Sequence, residues 1–134
     1  MTVSFEDYFN SKGAVGLFCV INPAGSRFEE LLTSLPVSRG TLDTRLKEGS
    51  ALGLVTKEIV KGEMDALELW VPTKRGMEFY EELRARQIPP RFEAYRDAMR
   101  EFEDKRDEFV EYVERKDDAE WERLEPTAYS FEED

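Results

Sequence analysis

The sequence contains no histidine, and Cys19 is its single cysteine among 134 residues. Without histidine the chain has no imidazole to serve as a general base or as a metal ligand. One cysteine forms neither an intramolecular disulfide nor a thiolate zinc site. Because nothing in the sequence combines a nucleophile with a base, we expect a protein that is not an enzyme and that carries no metal and no other cofactor.

The sequence also lacks a long apolar segment. Its longest wholly apolar run, residues 14–21, has eight residues, whereas a helix that spans a membrane needs about 20. The N-terminus carries no basic stretch followed by an apolar one, as a secretory signal does. The length is typical of one domain, so we expect a single compact unit or one such unit with an appended element, and not two full domains. The lack of an apolar segment and of a signal sequence favours the cytoplasm, away from membranes.

Basic residues are also few. The sequence has 19 Lys and Arg residues and 30 Asp and Glu residues, which give a net charge of −11. The deficit is uneven along the chain. Residues 87–134 carry a net −9, whereas residues 36–75 hold seven basic and six acidic side chains. Nucleic-acid binding needs cations, and residues 36–75 are the part of the chain that the acidic excess spares.

Two explanations of the acidic excess stay open. An acidic surface with much glutamate fits adaptation to a salt-rich cytosol, as in halophilic archaea. The alternative is an ordinary acidic tail. In the tail, residues 117–134, three aromatic side chains are expected either to fold back on the domain or to dock on a partner: Trp121, Tyr129 and Phe131.

Helical periodicity predicts four helices in the first 52 residues. The first two end near Asn10 and Ile21. In the third, Glu29 follows Ser26 by three residues, as in a capping box, and Pro36 ends the helix. The expected N-caps of the four helices are Ser4, Ser11, Ser26 and Ser38.

A hairpin follows the fourth helix, which is predicted for residues 39–52. Gly53 suits the left-handed position that ends a helix. Residues 55–61 and 66–71 are predicted to be two strands, because apolar residues alternate with polar ones in the second strand and residues 62–65 favour a turn.

Two further helices are predicted beyond the hairpin, followed by a helical turn that Asp117 and Asp118 cap, that runs to Leu124 and that Pro126 ends. Thr73 caps the first, which runs to about Arg86, and Pro89-Pro90 separates it from a longer helix. The longer helix has an apolar seam, a row of side chains at heptad spacing. About three heptads are too few for a stable isolated helix, so the seam must pack either on the domain or on the same helix of a second subunit. We favour the second subunit. The seam, in which Arg106 fills the one polar position, comprises Phe92, Tyr95, Met99, Phe102, Phe109 and Val113.

Four short motifs occur in order along this part of the chain: Arg27-Phe28-Glu29-Glu30-Leu31, Ser38 through Leu42 to Leu46, Gly53-Leu54-Val55, and Thr73-Lys74-Arg75-Gly76. Together with the order of the elements they resemble winged helix-turn-helix transcription regulators of the HxlR, PadR and MarR families. The resemblance covers residues 27–76 directly. It implies a mainly α fold with a small β-hairpin wing (α+β).

The resemblance also implies that three segments of the chain have different functions. Residues 1–86 are expected to form the DNA-binding domain, residues 87–116 a dimerisation helix of the coiled-coil kind, and residues 117–134 an acidic tail. The helix at about residues 38–52 is expected to enter the major groove, with the hairpin at residues 55–71 as the wing.

Turning Leu42 and Leu46 towards the core directs the other face of the fourth helix outward. We assign the reading of base edges to Arg39, Gly40, Thr41, Asp43 and Thr44. The alternative is that this face is only solvated and that Ser38 is only a cap. Contacts to phosphates are assigned to Arg27, Ser38, Arg45, Lys47, Lys57, Lys61, Lys74 and Arg75.

Two functions follow as hypotheses. The first is a homodimeric, sequence-specific regulator of transcription, in the form of a repressor, that binds double-stranded DNA with an affinity that falls little with added salt. The second is a protein-interaction adaptor on a winged-helix scaffold, whose acidic aromatic tail binds a basic protein partner or masks the DNA-binding face. Cys19 is expected to pack as a small hydrophobe and not to sense redox conditions.

Overall fold

The computed structural model describes residues 3–62 and 65–130. Their fold is mainly helical with one two-stranded hairpin, which confirms the predicted fold class. Within these residues no helix has the length and apolar character needed to cross a membrane. The elements in chain order are α1 (Phe5–Asn10), α2 (Ala14–Val20), α3 (Phe28–Ser34), α4 (Arg39–Ala51), β1 (Val55–Lys61), β2 (Ala66–Pro72), α5 (Lys74–Ala85), α6 (Ile88–Arg115) and α7 (Asp118–Glu122).

The described residues form two compact units, one up to Arg96 and one from Asp97 onward. The first unit contains α1 to α5, the hairpin and the beginning of α6. The second contains the rest of α6 and α7. The functional boundaries expected from the sequence, after residues 86 and 116, stay predictions.

The first two helices show one correct and one wrong cap. The Ser4 side chain accepts a hydrogen bond of 3.0 Å from the backbone N–H of Asp7 and caps α1 as predicted. Ser11 does not cap α2. It ends α1, where its backbone N–H bonds to the carbonyl of Tyr8. Helix α2 therefore begins two residues later than predicted, after Gly13, whose φ of +88° breaks the chain direction.

The start of α3 also differs from the prediction. Ser26 pairs with Trp70 of β2 through two backbone hydrogen bonds of 2.9 and 2.8 Å. Because this pairing fixes Ser26 in a bridge beside the hairpin, Arg27 becomes the N-cap of α3. The carboxylate of Glu30, and not that of Glu29, accepts the backbone N–H of Arg27 at 3.3 Å.

The elements around the hairpin match the sequence closely. Ser38 caps α4 by accepting the N–H of Thr41 at 3.1 Å, and Gly53 takes the left-handed φ of +72° after the helix. Strand β1 has the predicted bounds, and β2 extends one residue further than predicted. The strands pair antiparallel with Lys57 opposite Trp70. The predicted turn includes residues 63 and 64, which lie outside the described residues.

The core of the first unit surrounds α2 and the inner face of α4. Leu17 and Phe18 of α2 are almost fully buried. Leu42 and Leu46 of α4 are 0% and 1% exposed, so both point inward as predicted. The opposite face of α4 is consequently exposed.

The junction between α5 and α6 lies before the two prolines. Thr73 caps α5 as predicted by accepting the N–H of Gly76 at 3.0 Å. The helix ends at Ala85, and Gln87 has a φ of +59°. Helix α6 then begins at Ile88, so Pro89 and Pro90 lie in its first turn. A helix tolerates proline there because the missing N–H has no partner in the first turn, and Pro90 lies in the first turn as predicted. The break itself comes at Gln87, and the prediction that the two prolines cause it is wrong.

The beginning of α6 packs against α2 and α3 within the first unit. The ring of Phe92 lies so close to Gly16 that a Cβ on that glycine would be 2.9 Å from it. Arg96 donates a hydrogen bond of 3.1 Å from Nη1 to the carbonyl of Ser34. Phe92, one of the predicted dimerisation residues, is therefore occupied by a contact inside its own unit.

In the second unit, α7 folds onto the end of α6. Asp117 caps α7 by accepting the N–H of Ala119 at 3.3 Å. Trp121 donates from Nε1 to the carbonyl of Val113 at 3.2 Å, and its ring meets the Tyr112 ring edge-on at 6.0 Å. The remaining predicted tail aromatics are Tyr129, which is 83% exposed, and Phe131, which lies outside the described residues.

Candidate nucleic-acid interface

The outer face of α4 is the exposed surface at the centre of the candidate site. Gly40, Asp43 and Lys47 are exposed along it. Nothing lies within 4 Å of the position where a Cβ on Gly40 would be, so this part of the helix is open to a large ligand. A helix with one buried and one open face is the arrangement that major-groove binding requires.

The hydroxyl groups of the site are partly used inside the helix. Ser38 Oγ donates to Thr41 Oγ1 at 3.0 Å, and Thr44 Oγ1 donates to the carbonyl of Gly40 at 3.0 Å. Thr41 is half-buried and Thr44 is exposed. The Thr44 hydroxyl oxygen therefore keeps acceptor capacity toward a ligand on the outer face.

Four cations of the predicted interface form ion pairs with carboxylates of the same chain. These surface pairs are exposed, so each contributes about 0–1 kcal/mol and is readily exchanged for a pair with another anion. The sequence shows that residues 36–75 are near neutral, and the structure shows in addition that each of these four cations lies beside a carboxylate. The pairs are Arg39–Glu29 at 2.7 Å, Lys47–Asp43 at 2.8 Å, Lys57–Glu68 at 3.6 Å and Arg27–Glu30 at 3.8 Å.

Two predicted phosphate contacts serve the fold. The Arg45 side chain is only 15% exposed and lies 3.5 Å from Glu48. Arg75 donates from Nη1 to the carbonyl of Leu52 at 2.8 Å and lies over the ring of Phe5. Arg45 is therefore not presented outward in the way that Lys47 is, whereas Arg75 is exposed but held at the end of α4.

The wing carries the remaining predicted cations. Lys57 and Lys61 are exposed on β1, and Lys74 is exposed at the start of α5. Lys57, Ile59 and Lys61 occupy every second position of β1, so their side chains lie on one face of the strand. Ile59 is 68% exposed. The Lys57 ammonium lies 5.1 Å from the centre of the Trp70 ring.

Glu29 adjoins the candidate site, although the sequence predicts only that it belongs to a capping box. Its carboxylate contacts Arg39 at the start of the next helix. The only signal for this contact is the short connection between the third and fourth helices. The pairing depends on the angle between α3 and α4, which neither segment specifies alone.

A cavity of about 300 Å³ lies away from this surface, between α2, α5 and the beginning of α6. Cys19 lines it together with Arg84 and Arg96. Burial raises the pKa of the Cys19 thiol to about 11, and the nearby Arg84 partly opposes this change. The thiol is thus protonated at neutral pH, and Cys19 lies at the edge of the core and not at its centre.

The predicted dimerisation face retains three strongly exposed aromatic side chains. Tyr95, Phe102 and Phe109 are 56%, 68% and 63% exposed. Met99 and Val113 are half-buried. With Phe92 in contact with Gly16, the available seam starts at Tyr95.

Helices α2, α3 and α4, of which the last two form a helix-turn-helix, followed by a β-hairpin and by α5, define a winged helix-turn-helix fold. Two solved structures have similar folds. One is a possible HxlR family transcriptional factor from Thermoplasma volcanium, with a TM-score of 0.51 and 20% identity over 60% of this chain and 72% of the other. The other is a regulator assigned to the MarR family from Enterococcus faecalis, with a TM-score of 0.53 and 22% identity over 74% of this chain and 96% of the other.

At these identities the two structural matches show similarity of fold alone. No protein-family model and no curated protein matches the sequence significantly. The resemblance to winged-helix regulators that the sequence motifs indicate is therefore confirmed at the level of the fold.

Proposed function

We propose that this protein is a sequence-specific DNA-binding regulator of transcription, acting as a repressor and as a homodimer. The observation that carries the proposal is the open outer face of α4, placed after the tight turn of a helix-turn-helix and followed by a wing. The proposed base contacts are Arg39, Gly40, Thr41, Asp43 and Thr44. The proposed phosphate contacts are Arg27, Ser38, Lys47, Lys57, Lys61 and Lys74.

Two alanine variants, one at Lys47 and one at Arg86, test the DNA-binding surface. Lys47 on α4 and Arg86 after α5 each pair with a carboxylate four residues earlier at 2.8 Å. Fluorescence anisotropy against a set of genomic fragments should reveal a preferred site for the unaltered protein. We expect Lys47→Ala to weaken binding to this site and Arg86→Ala to leave it unchanged. The absence of a preferred fragment at every KCl concentration, or equal effects of the two variants, contradicts the proposal.

The proposed dimer pairs α6 with its counterpart in a second subunit. Its support is the row of exposed aromatic side chains at heptad spacing, Tyr95, Phe102 and Phe109, which water otherwise surrounds. Two recognition helices would then meet successive major grooves about 34 Å apart. The operator should accordingly be a pseudo-palindrome.

Sedimentation equilibrium tests the dimer directly. Phe102→Glu places a charge in the seam and should shift the protein to monomer. Leu124→Glu, in the tail, adds the same charge at a residue that is 64% exposed and serves as the control. A monomeric unaltered protein, or a dimer that survives Phe102→Glu, contradicts dimerisation through this face.

The adaptor function is the second candidate, and the α7 region favours it. Leu124 and Tyr129 are 64% and 83% exposed in an acidic segment, which suits a basic protein partner. Deletion of residues 116–134 separates the candidates. A gain of DNA affinity at low salt indicates that the tail masks the DNA-binding face. Unchanged DNA binding with loss of a captured protein partner indicates an adaptor.

A further inference from the structure

The ion pair between Arg39 and Glu29 differs from its neighbours on the same surface. The pair joins α3 to α4 across ten residues of sequence, with Nη2 and Oε1 2.7 Å apart. The other pairs lie within one helix or between paired strands. The guanidinium also lies over the Phe28 ring, 5.2 Å from its centre. Arg39 is therefore restrained by two groups on α3, although it extends from the first turn of α4.

The restraint prevents a competing contact. Asp43 lies one helical turn after Arg39, and this spacing favours an ion pair between the two side chains. In the structure Asp43 pairs with Lys47 at 2.8 Å instead, and Arg39 pairs with Glu29. Without Glu29, Arg39 would be free to turn toward Asp43, along the helix and away from its present position.

The restrained guanidinium borders an open cleft. The cleft has a volume of about 540 Å³ and is lined by Phe28, Arg39, Gly40 and Asp43. A guanidinium has five N–H donors in one plane. The bond to Glu29 uses a donor on Nη2, so further donors can face the cleft. The absence of a side chain on Gly40 leaves the approach clear.

We propose that Glu29 is a positioning residue that presents Arg39 to a guanine base and so sets the base preference at one position of each half-site. This inference rests on the proposed function. Guanine offers two acceptors, O6 and N7, on its major-groove edge, and a planar guanidinium matches them with two parallel N–H bonds. A guanidinium drawn to Asp43 would instead satisfy its donors within the chain.

The test measures base preference rather than affinity alone. The preferred DNA site is varied one base pair at a time, and dissociation constants are measured for each variant site. The unaltered protein should prefer guanine at one position of the half-site by about tenfold or more. Arg39→Ala should abolish this preference, because it removes every donor. Arg39→Lys should weaken it, because a lysine ammonium keeps donors for guanine but lacks the planar pair.

Glu29→Gln distinguishes positioning from simple charge. Loss of one negative charge should leave binding to random DNA unchanged or slightly tighter, while the preference for guanine falls severalfold. Glu81→Gln on α5 makes the same charge change at an exposed residue and should retain the full preference. Because the Glu29 side chain is 68% exposed, circular dichroism should show an intact fold for both variants.

The outcomes distinguish a failure of the Glu29 proposal from a failure of the proposed DNA-binding function. If Arg39→Ala removes the guanine preference and Glu29→Gln retains it, Glu29 is not a positioning residue. If no base preference depends on Arg39, the guanine assignment is wrong although the protein binds DNA. If the unaltered protein has no preferred site at all, the proposed function fails, and this inference fails with it.

Discussion

The hydroxyl of Tyr8 donates a hydrogen bond of 3.0 Å to the backbone carbonyl of Arg45. This bond fixes α1 to the middle of α4 at a point where Tyr8 is 0% exposed. Burial raises the pKa of the Tyr8 phenol far above its usual range, and Arg45 only partly opposes this. The phenol therefore stays a neutral donor across ordinary pH, and the position of the proposed recognition helix depends on it.

Tyr8→Phe should lower the free energy of unfolding by about 1 kcal/mol, the usual net contribution of one hydrogen bond. The ring remains and only the hydroxyl is lost. Urea unfolding followed by circular dichroism measures the change. Tyr95→Phe, at a residue that is 56% exposed, should change stability by less than about 0.5 kcal/mol. Equal effects of the two variants would show that the buried bond contributes nothing.

The glycines of α4 should respond in opposite directions to alanine. A Cβ on Gly49 would lie 2.8 Å from the Tyr8 hydroxyl and 3.3 Å from Val55, so overpacking of about 1–3 kcal/mol should outweigh the gain in helix propensity. Gly40→Ala meets nothing within 4 Å and should raise stability by about 0.5–1 kcal/mol. Thermal unfolding of the two variants measures both changes, and a rise in Tm for Gly49→Ala would contradict the tight contact.

The Cys19 thiol should react slowly at neutral pH. Its pKa of about 11 exceeds the ordinary value of 9.0, so alkylation by iodoacetamide should keep accelerating up to about pH 11. The same reaction in urea should level off near pH 9. A thiol whose pKa is raised by folding binds its proton more tightly in the folded state, so stability should fall as pH rises from about 9 to about 11.

Cys19→Ala supplies the control for this pH dependence. The variant should lack the contribution that the thiol makes to the fall in stability between pH 9 and 11. Unfolding free energies measured at both pH values provide the comparison. Rapid alkylation of the folded protein at pH 7 would instead show a thiolate, and with it a reactive cysteine.

Trp121→Ala should release α7 from the end of α6. The substitution removes the hydrogen bond to Val113, the ring contact with Tyr112 and the cation–π contact with Lys116, whose ammonium lies 4.7 Å from the Trp121 ring. Hydrogen exchange of the amides in residues 118–124 should become faster, while the first unit stays protected. Tyr129→Ala should leave this exchange unchanged. Equal protection in Trp121→Ala would show that α7 does not depend on the indole.

The salt dependence of DNA binding should be shallow. Each phosphate neutralised by a free cation contributes about −0.9 to the slope of log K against log[salt]. Arg39, Lys47 and Lys57 already have carboxylate partners, so a phosphate that binds them replaces an internal anion. Lys61 and Lys74 have no carboxylate partner among the described residues, and they contribute four cations in a dimer. We therefore expect a slope of about −4 or shallower in a KCl titration of specific binding. A steeper slope would mean that unpaired cations dominate the interface.

Local sequence determined the caps and strands whose partners lie within a few residues. Ser4, Ser38 and Thr73 each bond to an N–H three residues later, and Gly53 ends α4 because glycine tolerates a positive φ. The spacing of Leu42 and Leu46 likewise fixed which face of α4 is buried. These features depend on the chain's own periodicity and turn chemistry, so they can be predicted without the fold.

The same local signals failed where distant residues compete for them. Ser26 precedes a helix just as Ser38 does, yet its backbone pairs with Trp70, 44 positions further along the chain. Phe92 has the spacing of the α6 seam, but its ring packs against Gly16. A sequence pattern shows that a side chain is apolar or that a capping group is available. It does not show which distant residue that group contacts in the fold.

The sequence by itself determined the order of elements, the buried stripe of α4 and the near-neutral charge of the window that contains the proposed DNA-binding surface. Only the tertiary structure decided which partner each of these charged side chains has. It turned Arg45 inward against Glu48, used Arg75 to hold the end of α4, and placed Glu29 beside Arg39. The reason is physical: charge counts along a chain are additive, whereas the partner of each charge depends on the packing of helices that are distant in sequence.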